Sequence, residues 1–320
     1  MFLVLVMGAA VTNTGSAEGC GRSWPLCNGQ FVPEFTVATA IEYSHRAVTG
    51  LEGLLVVGVT ASMFLKWRAD REVVVLGLLM LGTLLLQAGL GAGAVLWPQS
   101  PLMLATHFGV SLIAFASTFL SASVVFERSR ATPNAREQSC PSSPATAEGP
   151  RPQLRRAVVG VGIYLLVVVY LGAYVRHAGV SLACADWPLC NGQFVPRLDG
   201  PASVAFAHRL AAAGALVLLA WLVVSARGYA LARRVALIAF GLGVLQALSG
   251  ALVVWTRLGL FSTLAHAAVM ALLFASVAYL MRLVLPTPSP DAVPGLPGLA
   301  QWFEMTPRTS APVPPRSRAR

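Results

Sequence analysis

The sequence predicts an all-α polytopic membrane protein: eight transmembrane helices in two tandem four-helix bundles related by internal duplication, the first helix truncated. Three observations carry this. The 320-residue chain is 56% hydrophobic and only 11% charged, whereas a soluble chain carries about 25% charged residues. Its apolar runs recur at lengths close to the ~20 residues that a helix needs to cross the hydrocarbon core. Finally, the segment Trp24 to Pro33, WPLCNGQFVP, returns unchanged at Trp187 to Pro196, and self-similarity at a fixed offset marks a repeated structural unit.

The elements follow in order. Phe2 to Val11 is apolar but too short to cross alone. Met7-Gly8-Ala9-Ala10-Val11 aligns with Leu171-Gly172-Ala173-Tyr174-Val175, the end of the fifth run. The first helix is therefore expected to lack its cytoplasmic half, as a start codon assigned too late would cause. A signal peptide is disfavoured, because the run has no basic n-region and continues into the repeat. The second span covers Ala47 to Leu65 and is extended back to about Ala38, placing Glu42 and His45 inside it. The others are Val73 to Leu96, Leu102 to Phe126, Ala157 to Val175, Ala202 to Ala226, Leu231 to Val254 and Leu260 to Leu285.

Charge sets the expected orientation. Lys66, Arg68 and Arg71 follow the second span; Arg128, Arg130, Arg136, Arg151, Arg155 and Arg156 separate the fourth from the fifth. Arg227, Arg233 and Arg234 lie between the sixth and seventh, and Arg282, Arg308, Arg316, Arg318 and Arg320 close the chain. Most of the 23 basic residues thus share one side, which the positive-inside rule makes cytoplasmic, with both termini there and the cysteine loops outside. Topology accounts for the net charge of +10, so no nucleic-acid partner is implied. The expected organisation is a first four-helix half (1–126), a flexible cytoplasmic linker rich in Pro and Ser (127–156), a second half (157–285) and a disordered tail (286–320).

Four of the five cysteines, Cys20, Cys27, Cys184 and Cys190, fall in the two long external loops. An oxidising compartment permits a bridge within each pair. A metal site is the rival reading, weakened because each pair adjoins the repeated Trp-Pro-Leu turn and no histidine cluster accompanies it except His177 near Cys184. Cys140, in the linker, reads as a free thiol.

Ionisable or metal-binding groups inside a span are costly and mark function by default. His45, His107, His208 and His266 each occupy an even-numbered helix, within about two turns of its external end. Ser44-His45-Arg46 repeats as Ala207-His208-Arg209. Gln87-Ala88-x-x-Gly91-Ala92 repeats as Gln246-Ala247-x-x-Gly250-Ala251, which sets His107 on His266. One such histidine would most simply bond a neighbouring helix. Four at matched places favour ligands, and two facing each other across a four-helix bundle suit bis-histidine ligation of haem. Arg46 and Arg209 could pair with haem propionates or snorkel to lipid headgroups. His177 lacks a twin and reads as a polar loop residue.

One position breaks the symmetry. Glu42 precedes His45 by three residues and shares its helical face, while Ala205 stands at the matching place before His208. A buried carboxylate could take or give protons near neutrality, or could simply bond Arg46 or a neighbouring helix. The contrast suggests a reactive first half and an electron-storing or structural second half.

Taken together, Glu42-x-x-His45-Arg46, His107, His208-Arg209, His266, the cysteine pairs beside Trp-Pro-Leu-Cys and the duplicated eight-helix layout resemble the haem A synthase family, over about Met1 to Leu285. The resemblance implies oxidation of the C8 methyl of haem O to a formyl group, giving haem A for cytochrome c oxidase. It implies substrate haem on His45 and His107, haem b as cofactor on His208 and His266, Glu42 as the essential carboxylate, and a Cys20–Cys27 disulfide. Successive hydroxylations with dioxygen and electrons delivered through haem b would follow, with haem O synthase (protohaem farnesyltransferase) supplying substrate. Membrane lipid surrounds such a protein, and the sequence is compatible with a homo-oligomer. Two other classes fit the histidines: a di-haem cytochrome b-type electron carrier, and a haem-handling protein without catalysis. Neither gives Glu42 or the cysteine loops evident work.

Overall fold

Eight helices carry the chain in a computed structural model that describes residues 1–97, 100–130 and 151–286. They are α1 (Phe2–Asn13), α2 (Val37–Trp67), α3 (Arg71–Leu96), α4 (Pro101–Arg130), α5 (Pro152–His177), α6 (Pro201–Ser225), α7 (Ala230–Trp255) and α8 (Leu260–Val284). Seven are long and apolar enough to cross a membrane, and α1, at 12 residues, is a shorter apolar helix. The chain is thus a polytopic helical membrane protein, as its apolar runs predict.

Local chemistry explains where helices begin. The Thr36 side chain accepts the Thr39 N–H and caps α2; Asp70 accepts the N–H groups of Glu72 and Val73 and caps α3. Pro152 and Pro201 open α5 and α6, where a missing N–H costs nothing. Inside the spans, hydroxyls return to their own helix: Thr83, Thr118 and Ser225 each donate to the carbonyl one turn earlier.

Helices adjacent in sequence pack against each other within 1–126 and within 157–285, and α5 closes on α8. Further contacts run between these stretches: α4 packs on α5 and α8, and α1 on α8. The largest buried apolar cluster reflects this, joining Leu5 and Leu112 to Val158, Leu165, Leu219 and Leu280. A second cluster holds α2, α3 and α4 together through Val56, Met63, Val73, Met80 and Val124.

Polar contacts close both ends. At the end where α2 meets α3, Arg128 donates to Asp70 (2.7 Å) and Glu72 (3.0 Å). Arg282 donates to Glu72 (2.7 Å) and, through both terminal nitrogens, to Glu127 (3.0 and 2.7 Å). This explains why α4 runs on to Arg130, into what the sequence predicts as linker: Glu127 and Arg128 are held by partners on other elements. At the opposite end, Arg176 of α5 donates twice to Asn13 Oδ1 of α1 (3.1 and 2.8 Å). The flexible-linker expectation for 131–150, the free-thiol reading of Cys140 and the disorder expected of 287–320 lie outside the described residues.

Candidate functional site

The four intramembrane histidines sit six to eight residues past the first residue of α2, α4, α6 and α8, all toward the disulfide-bearing end. Each imidazole packs against a glycine of the preceding helix. A Cβ built on Gly8 would lie 3.3 Å from His45 Cε1, on Gly91 3.4 Å from His107 Cε1, and on Gly250 3.3 Å from His266 Cε1. On Gly172 it would lie only 2.6 Å from His208 Cε1. The glycines are therefore part of the repeated unit: they let one helix approach the ring of the next.

His45 lies close enough to His107 for the charge of one to bear on the other, and His208 stands in the same relation to His266. These couplings run within each half, and His177 acts on His107 in the same way. The Gln87 amide nitrogen lies 3.2 Å from His107 Nε2, and that of Gln246 lies 3.1 Å from His266 Nε2. Ser249 Oγ lies 2.8 Å from His266 Nδ1. The Nδ1 atoms of His45, His107 and His208 are buried without a hydrogen-bond partner.

Such buried, unpartnered ring nitrogens show that the protein alone does not satisfy these imidazoles. Among the described residues no three His, Cys, Asp or Glu side chains converge as a protein-only metal site needs. Two histidines per site suit an iron whose other ligands come from a macrocycle. The residues present therefore fit haem, with His45 and His107 as one ligand pair and His208 and His266 as the other.

Glu42 is 4% exposed and fully engaged. Its Oε1 accepts from Arg46 Nε (3.1 Å) and Nη2 (2.5 Å), and its Oε2 accepts the Cys20 N–H (2.7 Å). Arg46 Nη1 continues to the carbonyls of Ser23 (2.7 Å) and Leu26 (2.8 Å). Arg209 repeats this grip on the carbonyls of Asp186 (2.8 Å), Leu189 (2.5 Å) and Cys184 (2.9 Å). Both arginines clamp the disulfide loops to α2 and α6.

The loops themselves are built alike. Cys20–Cys27 and Cys184–Cys190 are disulfides, which leaves no thiolates for the rival metal reading. Within each, Cys27 pairs with Gln30 and Cys190 with Gln193 around Asn-Gly tips. The left-handed φ values there, 52° and 77° at Asn28 and Gly29, 55° and 76° at Asn191 and Gly192, are what a two-residue hairpin demands.

Three features escape the sequence reading. His177 is the last residue of α5, not a loop residue, and lies within electrostatic reach of His107. Glu52, buried in the middle of α2 where the second copy has Ala215, pairs with the Met1 amino group. It lines an apolar cavity of about 310 Å³ with Leu3, Val4, Val48 and Leu55. Ser249 and Ser111 are ordinary helix residues by sequence, and only the fold reveals what they touch.

Residues 1–278 match the family profile COX15-CtaA, described as cytochrome oxidase assembly protein. A haem A synthase of Symbiobacterium thermophilum is 41% identical over 89% of this chain and 92% of its own length. Haem A synthases of Geobacillus kaustophilus (40% identical, 90% and 89% covered) and Bacillus licheniformis (42%, 89% and 92%) are similar to the same extent.

Proposed function

The chain belongs to the cytochrome oxidase assembly family COX15-CtaA, and we propose that it performs haem A synthesis, the activity of its relatives, with a different task in each four-helix half. It is a membrane oxidoreductase that acts on haem O, converting the C8 methyl to a formyl group so that haem A can be supplied to cytochrome c oxidase. Haem O synthase provides the substrate.

The first half, residues 1–126, takes the substrate haem on His45 and His107. The second, residues 157–285, keeps haem b on His208 and His266. Bound haem supplies the redox-active iron through which electrons and dioxygen are brought to the methyl group. The disulfide loops face the outside of the cell membrane and the Arg282 cluster faces the cytoplasm, as the basic residues there favour.

The contrast between Glu42 and Ala205 carries the division of labour. Both positions lie one turn before a ligand histidine, and only the first bears a carboxylate. Glu42 is the proton-handling group. Taking a proton at Oε1 requires Arg46 to release it, which couples proton movement to the loop that Arg46 clamps. The loops cap the histidine end of each half and keep water from the rings. An electron carrier would need no such difference between halves.

The test is haem content and haem conversion in paired variants. His208→Ala and His266→Ala should each empty the haem b site and abolish conversion. His45→Ala and His107→Ala should retain haem b yet leave haem O unconverted. Loss of all haem from the first-half variants, with haem b retained in the second-half ones, would reverse the assignment.

A further inference from the structure

The repeat aligns His107 with His266, and around these two rings a pair of hydroxyls has changed places. On α7 of the second half stands Ser249, where the first half has Leu90 on α3. On α4 of the first half stands Ser111, where the second half has Met270 on α8. Neither Ser249 nor Met270 is open to lipid, at 7% and 8% exposure, so the exchange concerns what each site's interior holds.

In the second half the hydroxyl grips the histidine. Ser249 Oγ lies within hydrogen-bond distance of the Gln246 carbonyl (2.9 Å), to which it donates, and of His266 Nδ1 (2.8 Å), whose proton it accepts when that nitrogen carries one. With the proton on Nδ1, Nε2, which the Gln246 amide nitrogen faces at 3.1 Å, is the nitrogen left for a metal. Hydrogen bonding at the far nitrogen fixes the ring orientation, raises ligand basicity and typically contributes 10–100-fold in metal affinity. His266 is the one histidine of the four whose Nδ1 has such a partner; those of His45, His107 and His208 have none.

In the first half the hydroxyl grips the glutamine instead. Ser111 Oγ accepts from the Gln87 amide (2.5 Å), which also touches His107 Nε2 (3.2 Å). His107 gains no anchor on its far side, because Leu90 has nothing to offer. Its Nε2 faces the Gln87 amide as His266 Nε2 faces that of Gln246, but Gln87 alone of the two is held in place as a donor by a serine, where the second half has Met270. Such a donor stabilises the imidazole when it is not bound to iron.

We propose that Ser249 makes His266 a permanent axial ligand of the second haem, and that Leu90, with Ser111 holding Gln87, leaves His107 the ligand that exchanges. This rests on the histidine pairs being haem ligands, as proposed above. It explains how two sites with matched histidines do unlike work. A substrate haem held by an exchangeable His107 would let dioxygen reach its iron, whereas a haem anchored through His266 would be suited to storing electrons. Ser249 acts through His266 and is a positioning residue.

Carbon monoxide binds ferrous haem only where an axial position opens, so it probes the difference directly. The full-length protein is purified with bound haem, and the reduced form is titrated with carbon monoxide while the midpoint potential of the second haem is followed. In the wild type the second haem should resist carbon monoxide. Ser249→Ala should make it reactive, raise its midpoint potential because the ligand becomes less basic, and weaken haem retention about 10-fold or more. Ser249→Thr, which restores the hydroxyl, should return all three toward wild type. Leu90→Ser should reduce carbon monoxide binding at the first site. An unchanged carbon monoxide response and potential in Ser249→Ala would overturn the proposal. So would a Ser249→Thr protein as altered as Ser249→Ala. A wild-type protein without low-spin bis-histidine haem would instead remove the ligand assignment beneath it, which His266→Ala, leaving the spectrum unmoved, would identify.

Discussion

Gly172 and Gly8 occupy matched places in the repeat, yet the first is much the tighter. A methyl at Gly172 would meet the His208 ring at 2.6 Å, below any ordinary contact, whereas one at Gly8 would meet His45 at 3.3 Å. Gly172→Ala should therefore displace His208 and cut haem b retention about 10-fold or more, while Gly8→Ala has the milder effect; extracted haem per protein measures both. Glu42→Gln keeps the shape of the side chain and an acceptor for the Cys20 N–H but removes the charge that holds Arg46. It should retain haem b and stop formyl production, and normal haem A output would take Glu42 out of the reaction. At this scale the sequence was informative wherever a residue was costly for its place, as four histidines and a glutamate inside spans are. It was silent on Ser249, whose bond to His266, 17 residues along the chain, joins two helices. It misjudged His177, because an apolar run does not show where its helix stops.

The two disulfide loops share backbone shape but not their internal polar contacts. In the first, Ser23 Oγ accepts the Gly29 N–H (3.2 Å); in the second, Asp186 takes that place and accepts the N–H groups of Asn191 (2.5 Å) and Gly192 (2.8 Å). The Gly192 bond, though opposed by desolvation, together with the Asn191 bond and the charge of Arg209, holds the Asp186 carboxyl below its ordinary value of 3.8. A depressed carboxylate contributes stability above its unfolded pKa and loses it as pH falls through the folded one. The Asn191–Gly192 turn should accordingly loosen below about pH 4, while the Gly29 N–H keeps its bond to the neutral Ser23 hydroxyl. Amide exchange at Gly192 compared with Gly29 between pH 6 and 3 checks this; equal behaviour would deny Asp186 its role. Helices were easy to read as elements, because apolar length and the capping residues Thr36, Asp70, Pro152 and Pro201 agree. The end of α4 was not, since what prolongs it to Arg130 is an ion-pair partner 155 residues away on α8.

Across the whole molecule, the duplication explains the architecture, and on the proposed function the exceptions to it divide the work between the halves. In the proposed function, the shared parts, glycine-backed histidines and arginine-clamped loops, build two haem sites from one plan. Glu42 for Ala205, Leu90 for Ser249 and Ser111 for Met270 then make the sites unlike. Contacts between the two stretches are not repeated and so were invisible to the alignment: Arg282 with Glu72 and Glu127 at one end, Arg176 with Asn13 at the other. Arg282→Gln would leave Glu127 and one oxygen of the largely buried Glu72 without a cation. It should cost about 1–3 kcal/mol, less than a fully buried pair because Glu127 is partly exposed. Thermal unfolding in detergent reads that loss, and an unchanged melting temperature would mean the cluster is not a clamp. The most direct test of the central claim is haem extraction and chromatography from cells making this protein together with a haem O synthase. Haem A above the empty-vector control is the predicted result. Haem O accumulating unchanged, while the membrane protein carries its full complement of haem b, would contradict it.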